Sequence, residues 1–315
     1  AGISQDGLVM NADDLGCVGA RGRMDVAQII ARNKFRIPAE VIEALVTGCK
    51  DFCSRMNQYG FDLRYVSGET ADLADLSRTV TVDNAVYTRV RLTDVIDASR
   101  MVPGDVIVGF SSTGRACWED EHNSGIGSNG LTNGRHDALE ECYKLVVESY
   151  APEMPENLVY RGRYRLKDPL PGDSRFTVGS ALLSPTRTYL PLIKKLLELV
   201  SPTDIHGLIH CSGGGQTKIG KFGAPGNVYV KDNPFPIPPL FMMLQKVSGA
   251  TWREMYKTFN MGWRLEAVVP PQVEKCCYKA ADWAGIDVCR VGLIAKSPTA
   301  ENKVIIEGPA GTLEY

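Results

Sequence analysis

What the chain lacks narrows its chemistry first. No stretch approaches the roughly 18 consecutive apolar residues that a membrane-spanning helix needs. Nor does a basic segment followed by an apolar core stand at its start, so a soluble, unexported, cytoplasmic protein is expected, with no membrane partner. No run of Lys and Arg interleaved with aromatics is present, and 35 basic against 37 acidic side chains leave a net charge of −2. A nucleic-acid partner is therefore not expected. The nine cysteines are odd in number, scattered and free of any Cys-x-x-Cys pair, which suits a reducing cytosol better than a disulfide framework. Cys49 and Cys53 come nearest to a metal pair but share an apolar helix face and read as core, and adjacent Cys276 and Cys277 cannot face the same way. Internal repeats and low-complexity tracts are also missing.

What is present fits two α/β domains. At 315 residues the chain exceeds most single domains. The break falls at Val102-Pro-Gly-Asp105, giving domains 1–102 and 103–315. In the first half, Leu8, Val9, Ala12, Leu15 and Val18 recur at spacings of three and four, predicting a helix over 5–18 that Asp13 and Asp14 interrupt. Pro38 opens a second helix, 39–59, closed by Gly60. A strand over 61–66 follows, then a polar turn, Ser67-Gly-Glu-Thr-Ala-Asp72, that would leave the Glu69 carboxylate reachable by a ligand or metal. The near-alternation over 78–91 predicts a long strand with one packed face, of a kind that pairs across subunit interfaces or lies at a sheet edge. The second half predicts strands at 106–110, 204–210, 263–269, 287–295 and 303–306, and helices at 131–150, about 188–200, 240–247, 252–256 and 272–284.

Several motifs carry less than they first promise. Gly125-Ile-Gly-Ser-Asn-Gly130 matches G-x-G-x-x-G, but the charged stretch Trp118-Glu-Asp-Glu-His122 separates it from the preceding strand, where a dinucleotide fold packs strand, turn and helix directly together. What survives is a loop whose amides and Asn129 could cradle an anion at a helix start. Gly215-Gln-Thr-Lys-Ile-Gly-Lys221 has P-loop spacing, yet Phe222 stands where a magnesium-binding hydroxyl belongs. His206 and His210, four apart on a strand, sit about 13 Å apart and do not suit one zinc. Gly213, Gly214 and Gly215 either admit a ligand to the backbone or make a tight turn.

Taken in order, Met10-Asn-Ala-Asp-Asp-Leu15, Gly68-Glu-Thr-Ala71, Gly104-Asp-Val-Ile107, Ser128-Asn-Gly130, Ser184-Pro-Thr-Arg187, His206 through Gly215 and Met255-Tyr-Lys-Thr-Phe-Asn260 span essentially the whole chain. In that order they resemble the phosphoribosylformylglycinamidine cyclo-ligase family, the aminoimidazole ribonucleotide synthetases. The resemblance implies two mixed α/β domains, with the N-terminal sheet pairing in a homodimer. It also implies an ATP-dependent ring closure of formylglycinamidine ribonucleotide, with ATP and Mg²⁺ as cofactors. Carried over residue by residue, it makes Asp14 and Glu69 the metal-phosphate ligands, Ser128, Asn129 and Gly130 nucleotide contacts, and Gly213, Gly214, Gly215 and Asn260 the substrate side. Asp14, Glu69, Asn129 and His210 are the implied catalytic set.

The chain also departs from the family pattern. Gly127 stands where a His is usual, after an insertion of about ten residues, and Ser67 replaces a glycine. Asp13 replaces Asn, and Trp263-Arg-Leu-Glu266 replaces a smaller, more apolar run. The family's Asp-Gly-x-Gly-Thr-Lys loop is not among these residues, so an N-terminally incomplete copy or a non-competent catalyst is expected. Two alternatives to the cyclo-ligase follow: another ATP-dependent enzyme of the same superfamily, or a non-catalytic nucleotide-binding or dimerising remnant.

Overall fold

The computed structural model describes residues 2–309 and 311–315. Two sheets organise them. The smaller has three strands, β1 (Arg23–Arg32), β2 (Asp62–Asp72) and β3 (Val80–Thr88), in the order β2-β1-β3. Strand β1 runs parallel to β2 and antiparallel to β3. Helices α1 (Gly2–Cys17) and α2 (Ala39–Gln58) bury Leu8, Val9, Ala12, Cys49, Phe52 and Met56 against one face, where Met24, Val26 and Ile30 of β1 point. The strand period of two sends Ala27, Ile29 and Ala31 to the other face. Nothing among the described residues covers that face, and Ile29, Val66 and Tyr87 are exposed on it by 48%, 54% and 78%.

The Ser67–Asp72 stretch is strand, not turn. All six residues pair with Ala27–Arg32 after a bulge that leaves Val66 unpaired. Gly68 serves close packing rather than a bend, since a Cβ there would lie 2.5 Å from the Tyr65 hydroxyl and 3.1 Å from the Gln28 carbonyl.

The second sheet has seven strands in the order β10-β9-β6-β8-β4-β7-β5. They are β4 (Val106–Ser111), β5 (Gly207–His210), β6 (Asn227–Lys231), β7 (Trp263–Val269), β8 (Val288–Lys296), β9 (Lys303–Gly308) and β10 (Gly311–Glu314), antiparallel except for the β6–β9 pair. Both faces are covered, so β4 and β7 are buried throughout. Val106, Val108 and Phe110 face α1, α5 (Leu190–Leu199) and α8 (Glu274–Ala284). Ile107 and Val268 face α3 (Leu131–Ala138), α4 (Val178–Leu182), α6 (Pro239–Ser248) and α7 (Trp252–Thr258).

The helix expected over 131–150 ends at Ala138. There the chain becomes extended and bridges to Tyr164, with the Glu140 amide donating to the Tyr164 carbonyl at 3.0 Å. Gly162 lies so close to Ala138 that a Cβ would sit 2.2 Å from its carbonyl carbon, and the crossing connector occupies the path a longer helix would take. Strands β1, β6 and β10 and helix α4 have no counterpart among the sequence expectations.

Candidate functional site

Asp14 lies in the last turn of α1 and His210 at the end of β5, and the two elements pack together. The His210 Nδ1 is 3.0 Å from Asp14 Oδ1. The imidazole is 1% exposed, the carboxylate 56%, and the far ring nitrogen, Nε2, is buried with no partner among the described residues. Burial pushes the imidazole down to about 4, with Arg264 and Lys218 adding to the shift and the Asp14 hydrogen bond opposing it. At neutral pH the ring is therefore neutral. A carboxylate accepting at Nδ1 places the ring proton there and leaves Nε2 with a lone pair. Burial also acts to raise Asp14, but the hydrogen bond from His210 and the positive charges of Lys218 and Arg264 take it below the usual carboxylate value. A cavity of about 440 Å³ opens here, walled by Asp14, Cys17, Ile96, His210, Lys218 and Phe222. Lys218 donates to the Ser212 hydroxyl at 3.0 Å.

Asp13, one residue earlier, faces inward. Its carboxylate accepts from the Thr188 hydroxyl at 2.5 Å and the Tyr189 amide at 2.9 Å, so it caps the start of α5 from another helix. Burial pushes it up to about 7 against the opposing charge of Arg264. Asp13 and Asp14 thus do not form a pair on one cation: the first is a buried cap, the second the His210 partner.

The loop expected to cradle an anion is pinned at both ends. Asn260 is buried and fully used: Oδ1 accepts from the Ser112 hydroxyl and the Gly262 amide, and Nδ2 donates to the Gly125 and Ile126 carbonyls. Asn129 Nδ2 donates to the Thr258 carbonyl, tying the start of α3 to the end of α7. The Ser128 hydroxyl contacts Met10 Sδ at 3.3 Å. Gly130 is the N-cap of α3 at φ 80°. Ser128 lines a second cavity of about 620 Å³, between α1, β3, α3 and α4, with Met10, Leu131, Arg135 and Leu182 among its walls.

The triple glycine splits in role. Gly215 is forced by packing, since a Cβ would lie 2.5 Å from the Tyr256 carbonyl oxygen, and Gly214 by its φ of 96°, while Gly213 faces open space. Glu69 stands apart. Its partner across the sheet is Ile29, on the uncovered face, opposite to the side on which α1 carries Asp14. Among the described residues no group of three or more His, Cys, Asp or Glu side chains is gathered to hold a metal ion. His206 pairs with Asp105 at 2.7 Å, separately from His210, and all nine cysteines are free.

The sequence reading missed three residues. Lys218 appeared only as part of a failed P-loop pattern. Arg264 is 3% exposed with no described carboxylate at ion-pair distance. Its one visible signal was a charge in a strand buried on both faces. Arg187 is buried and bonded to the Ser111, Thr113 and Gly114 carbonyls and to both Glu119 oxygens.

Two mixed α/β units joined through α1 and β5, with a carboxylate–imidazole pair at the junction, define the class. The family described as "AIR synthase related protein, N-terminal domain" matches residues 1–90 and its C-terminal counterpart residues 102–304, so the chain belongs to the AIR synthase related family. Within it, the chain is similar to phosphoribosylformylglycinamidine cyclo-ligases, and with these ligases it is an enzyme. The Methanosarcina barkeri protein is 30% identical over 97% of this chain and 76% of its own length. That of Methanocaldococcus jannaschii is 27% identical over 96% and 75%. Among solved structures, the hydrogenase maturation protein HypE superposes with a TM-score of 0.61 at 13% identity, covering 99% of this chain and 81% of HypE. HypE in complex with ATP gives 0.59 at 13% identity, over 99% and 78%. These structures share the fold. No helix among the described residues is long and apolar enough to cross a membrane.

Proposed function

We propose that the chain closes the imidazole ring of formylglycinamidine ribonucleotide at the expense of ATP, yielding aminoimidazole ribonucleotide, ADP and phosphate in purine biosynthesis. The observation that carries this reading is the Asp14–His210 pair with its free Nε2. ATP transfers its terminal phosphoryl group to the amide oxygen, turning a poor leaving group into phosphate. The internal nitrogen then forms the new C–N bond as the C–O bond to phosphate breaks. That nitrogen must lose a proton, and we assign His210 Nε2, which carries a lone pair while Asp14 holds Nδ1–H, as the base that takes it. The apolar walls beside Ser128 suit the base of the nucleotide.

Magnesium is normally held by one or two carboxylates together with phosphate oxygens, and Asp14, half-exposed beside Lys218, fits that mode as a single protein ligand. When bound, the ion neutralises phosphate charge. Glu69 joins it only if a second copy of the chain covers the exposed sheet face, and the apolar residues there support a homodimer formed through that face. The division at residue 102 is part of the same proposal, with the smaller sheet as the dimerising unit.

The test is direct. Purified protein is incubated with formylglycinamidine ribonucleotide, ATP and Mg²⁺, and aminoimidazole ribonucleotide and ADP are quantified together. Equimolar appearance of both supports the reading. ADP without the aminoimidazole, or neither, overturns it.

A further inference from the structure

Two opposite charges wall the 440 Å³ cavity without meeting: Asp14 contributes one and Lys218 the other. Lys218 lies in the 3-10 segment Gly215–Lys221 that follows the triple glycine, and its Cα stands 3.6 Å from where a Cβ of Gly214 would be. The side chain is half-buried, and no described carboxylate lies at ion-pair distance from its ammonium. An ammonium carries three N–H donors. One of them donates to the Ser212 hydroxyl at 3.0 Å, and the others have no partner among the described residues. The Ser212 hydroxyl in turn donates to the His210 carbonyl at 3.4 Å, so the lysine is braced from the segment that carries the imidazole.

The other walls are largely apolar, with Cys17, Ile96, Leu208 and Phe222 among them, and the second carboxylate, Asp97, is exposed and accepts from the Ser99 amide. Arg264 is not among the walls, and its Nη2 donates to the Arg187 carbonyl. With His210 neutral, Lys218 is the one full cation among the described residues that line the cavity. In such surroundings a fixed cation acts more strongly on a developing negative charge than it would in water. Ring closure needs that charge at a definite moment. As the C–N bond forms, the nitrogen's proton goes to His210 Nε2, and the bonding pair of the breaking C–O bond leaves on the phosphate oxygen. A neutral imidazole serves the first event. The second calls for a positive group with N–H donors to spare, and Asp14 has the wrong sign.

We propose that Lys218 is a further catalytic residue, which hydrogen-bonds the phosphate as it departs and takes up the charge collecting on its oxygen. Ser212 is then a positioning residue, since it holds the ammonium through one donor and leaves the rest for the leaving group. The assignment deepens the cyclo-ligase reading and rests on it for the identity of that group.

Two measurements test it, one of them without turnover. Inorganic phosphate, the departing group itself, is titrated calorimetrically into the parent and into Lys218→Met. Saturable binding is expected in the parent, and binding about tenfold weaker or worse in the variant. No binding by the parent, or equal affinity in the two, overturns the proposal. Displacement of the phosphate by ADP also overturns it, because the lysine would then serve the nucleotide. In the second measurement, Lys218→Met should lower kcat for aminoimidazole ribonucleotide about 10² to 10³-fold with little change in KM. Methylammonium should restore part of the kcat of Lys218→Ala, and tetramethylammonium, which has no N–H, should not. Rescue by neither, or by both alike, contradicts a hydrogen-bonding role. Should Lys218→Met not fold, Lys218→Gln takes its place in both measurements. A parent that binds phosphate but forms no aminoimidazole ribonucleotide overturns the ring-closure reading, and the titration alone then decides whether Lys218 holds the anion.

Discussion

His210 and Asp14 meet through Nδ1 and Oδ1 at 3.0 Å across the junction of α1 and β5, and the meeting leaves Nε2 the one open valence of a buried ring. If that nitrogen is the base, His210→Asn, which can imitate the bond to Asp14 but has no second nitrogen, should lower kcat about 10² to 10⁴-fold with little change in KM. Asp14→Asn should lower kcat as well, because an amide facing Nδ1 no longer fixes the tautomer. Rates within threefold of the parent for His210→Asn would remove the residue from the mechanism. Since the folded imidazole titrates only near about 4, the acid limb of kcat should lie well below the usual histidine value of 6.5.

Asp13 and His210 act on stability in opposite senses. The folded Asp13 binds its proton up to about 7, whereas unfolded it gives it up near 3.8, so its contribution falls as pH rises through that window. The folded His210 refuses a proton until about 4, whereas unfolded it takes one near 6.5, so its contribution falls as pH drops. Each slope is about 1.4 kcal/mol per pH unit, and between pH 4 and 6.5 they largely cancel. Asp13→Asn removes one of them. Urea midpoints of this variant should then decline steadily from pH 6.5 to 4 where the parent's stay nearly level, and the variant should match or exceed the parent at pH 7.5. Parallel curves would show that Asp13 does not carry the proton in the fold.

How far the sequence reaches is visible in three places. Apolar periodicity located α2 and the hydrophobic strands β4 and β7, because those patterns are local. The order of short motifs led to the right family because it samples the whole chain. Gly68 was misread because a strand glycine and a turn glycine look alike until the partner strand is known, and here that partner is Gln28 on a β1 that the sequence reading passed over. Likewise Asp13 and Asp14 are adjacent in sequence yet serve different partners, Tyr189 and His210, which are about 20 residues apart and meet α1 only in the fold. Arg264 could not be assigned from sequence, since the groups its charge acts on, Asp13, Asp14 and His210, come to it only in the fold.

Arg187 anchors the inserted loop. Its guanidinium is 1% exposed, bonds both Glu119 oxygens and gathers three backbone carbonyls from the end of β4. Removing one partner of a buried pair strands the other, so Arg187→Met should cost about 3 to 5 kcal/mol and Glu119→Gln less, since the amide still accepts one bond. Equilibrium urea unfolding measures both. A loss under 1 kcal/mol for Arg187→Met would mean that water replaces the guanidinium without penalty.

The uncovered sheet face gives the last test. Ile29 and Tyr87 lie on β1 and β3 of the same face, which also carries Ala27, Ala31, Val66 and Glu69. A second copy laid against that face would cover Ile29, Val66 and Tyr87 and bring a Glu69 toward the other chain, with Asp83 and Glu69 flanking Ile29 and Asp25 beside Tyr87. Ile29→Lys places a charge at the centre of that face. Sedimentation velocity at micromolar protein should show a dimer for the parent and a monomer for Ile29→Lys, with far-ultraviolet circular dichroism unchanged. If Glu69 acts across that contact, the monomeric variant should also lose ATP turnover although Asp14 and His210 are untouched. A monomeric parent would end the dimer proposal, and a monomeric variant with full turnover would confine the active site to one chain.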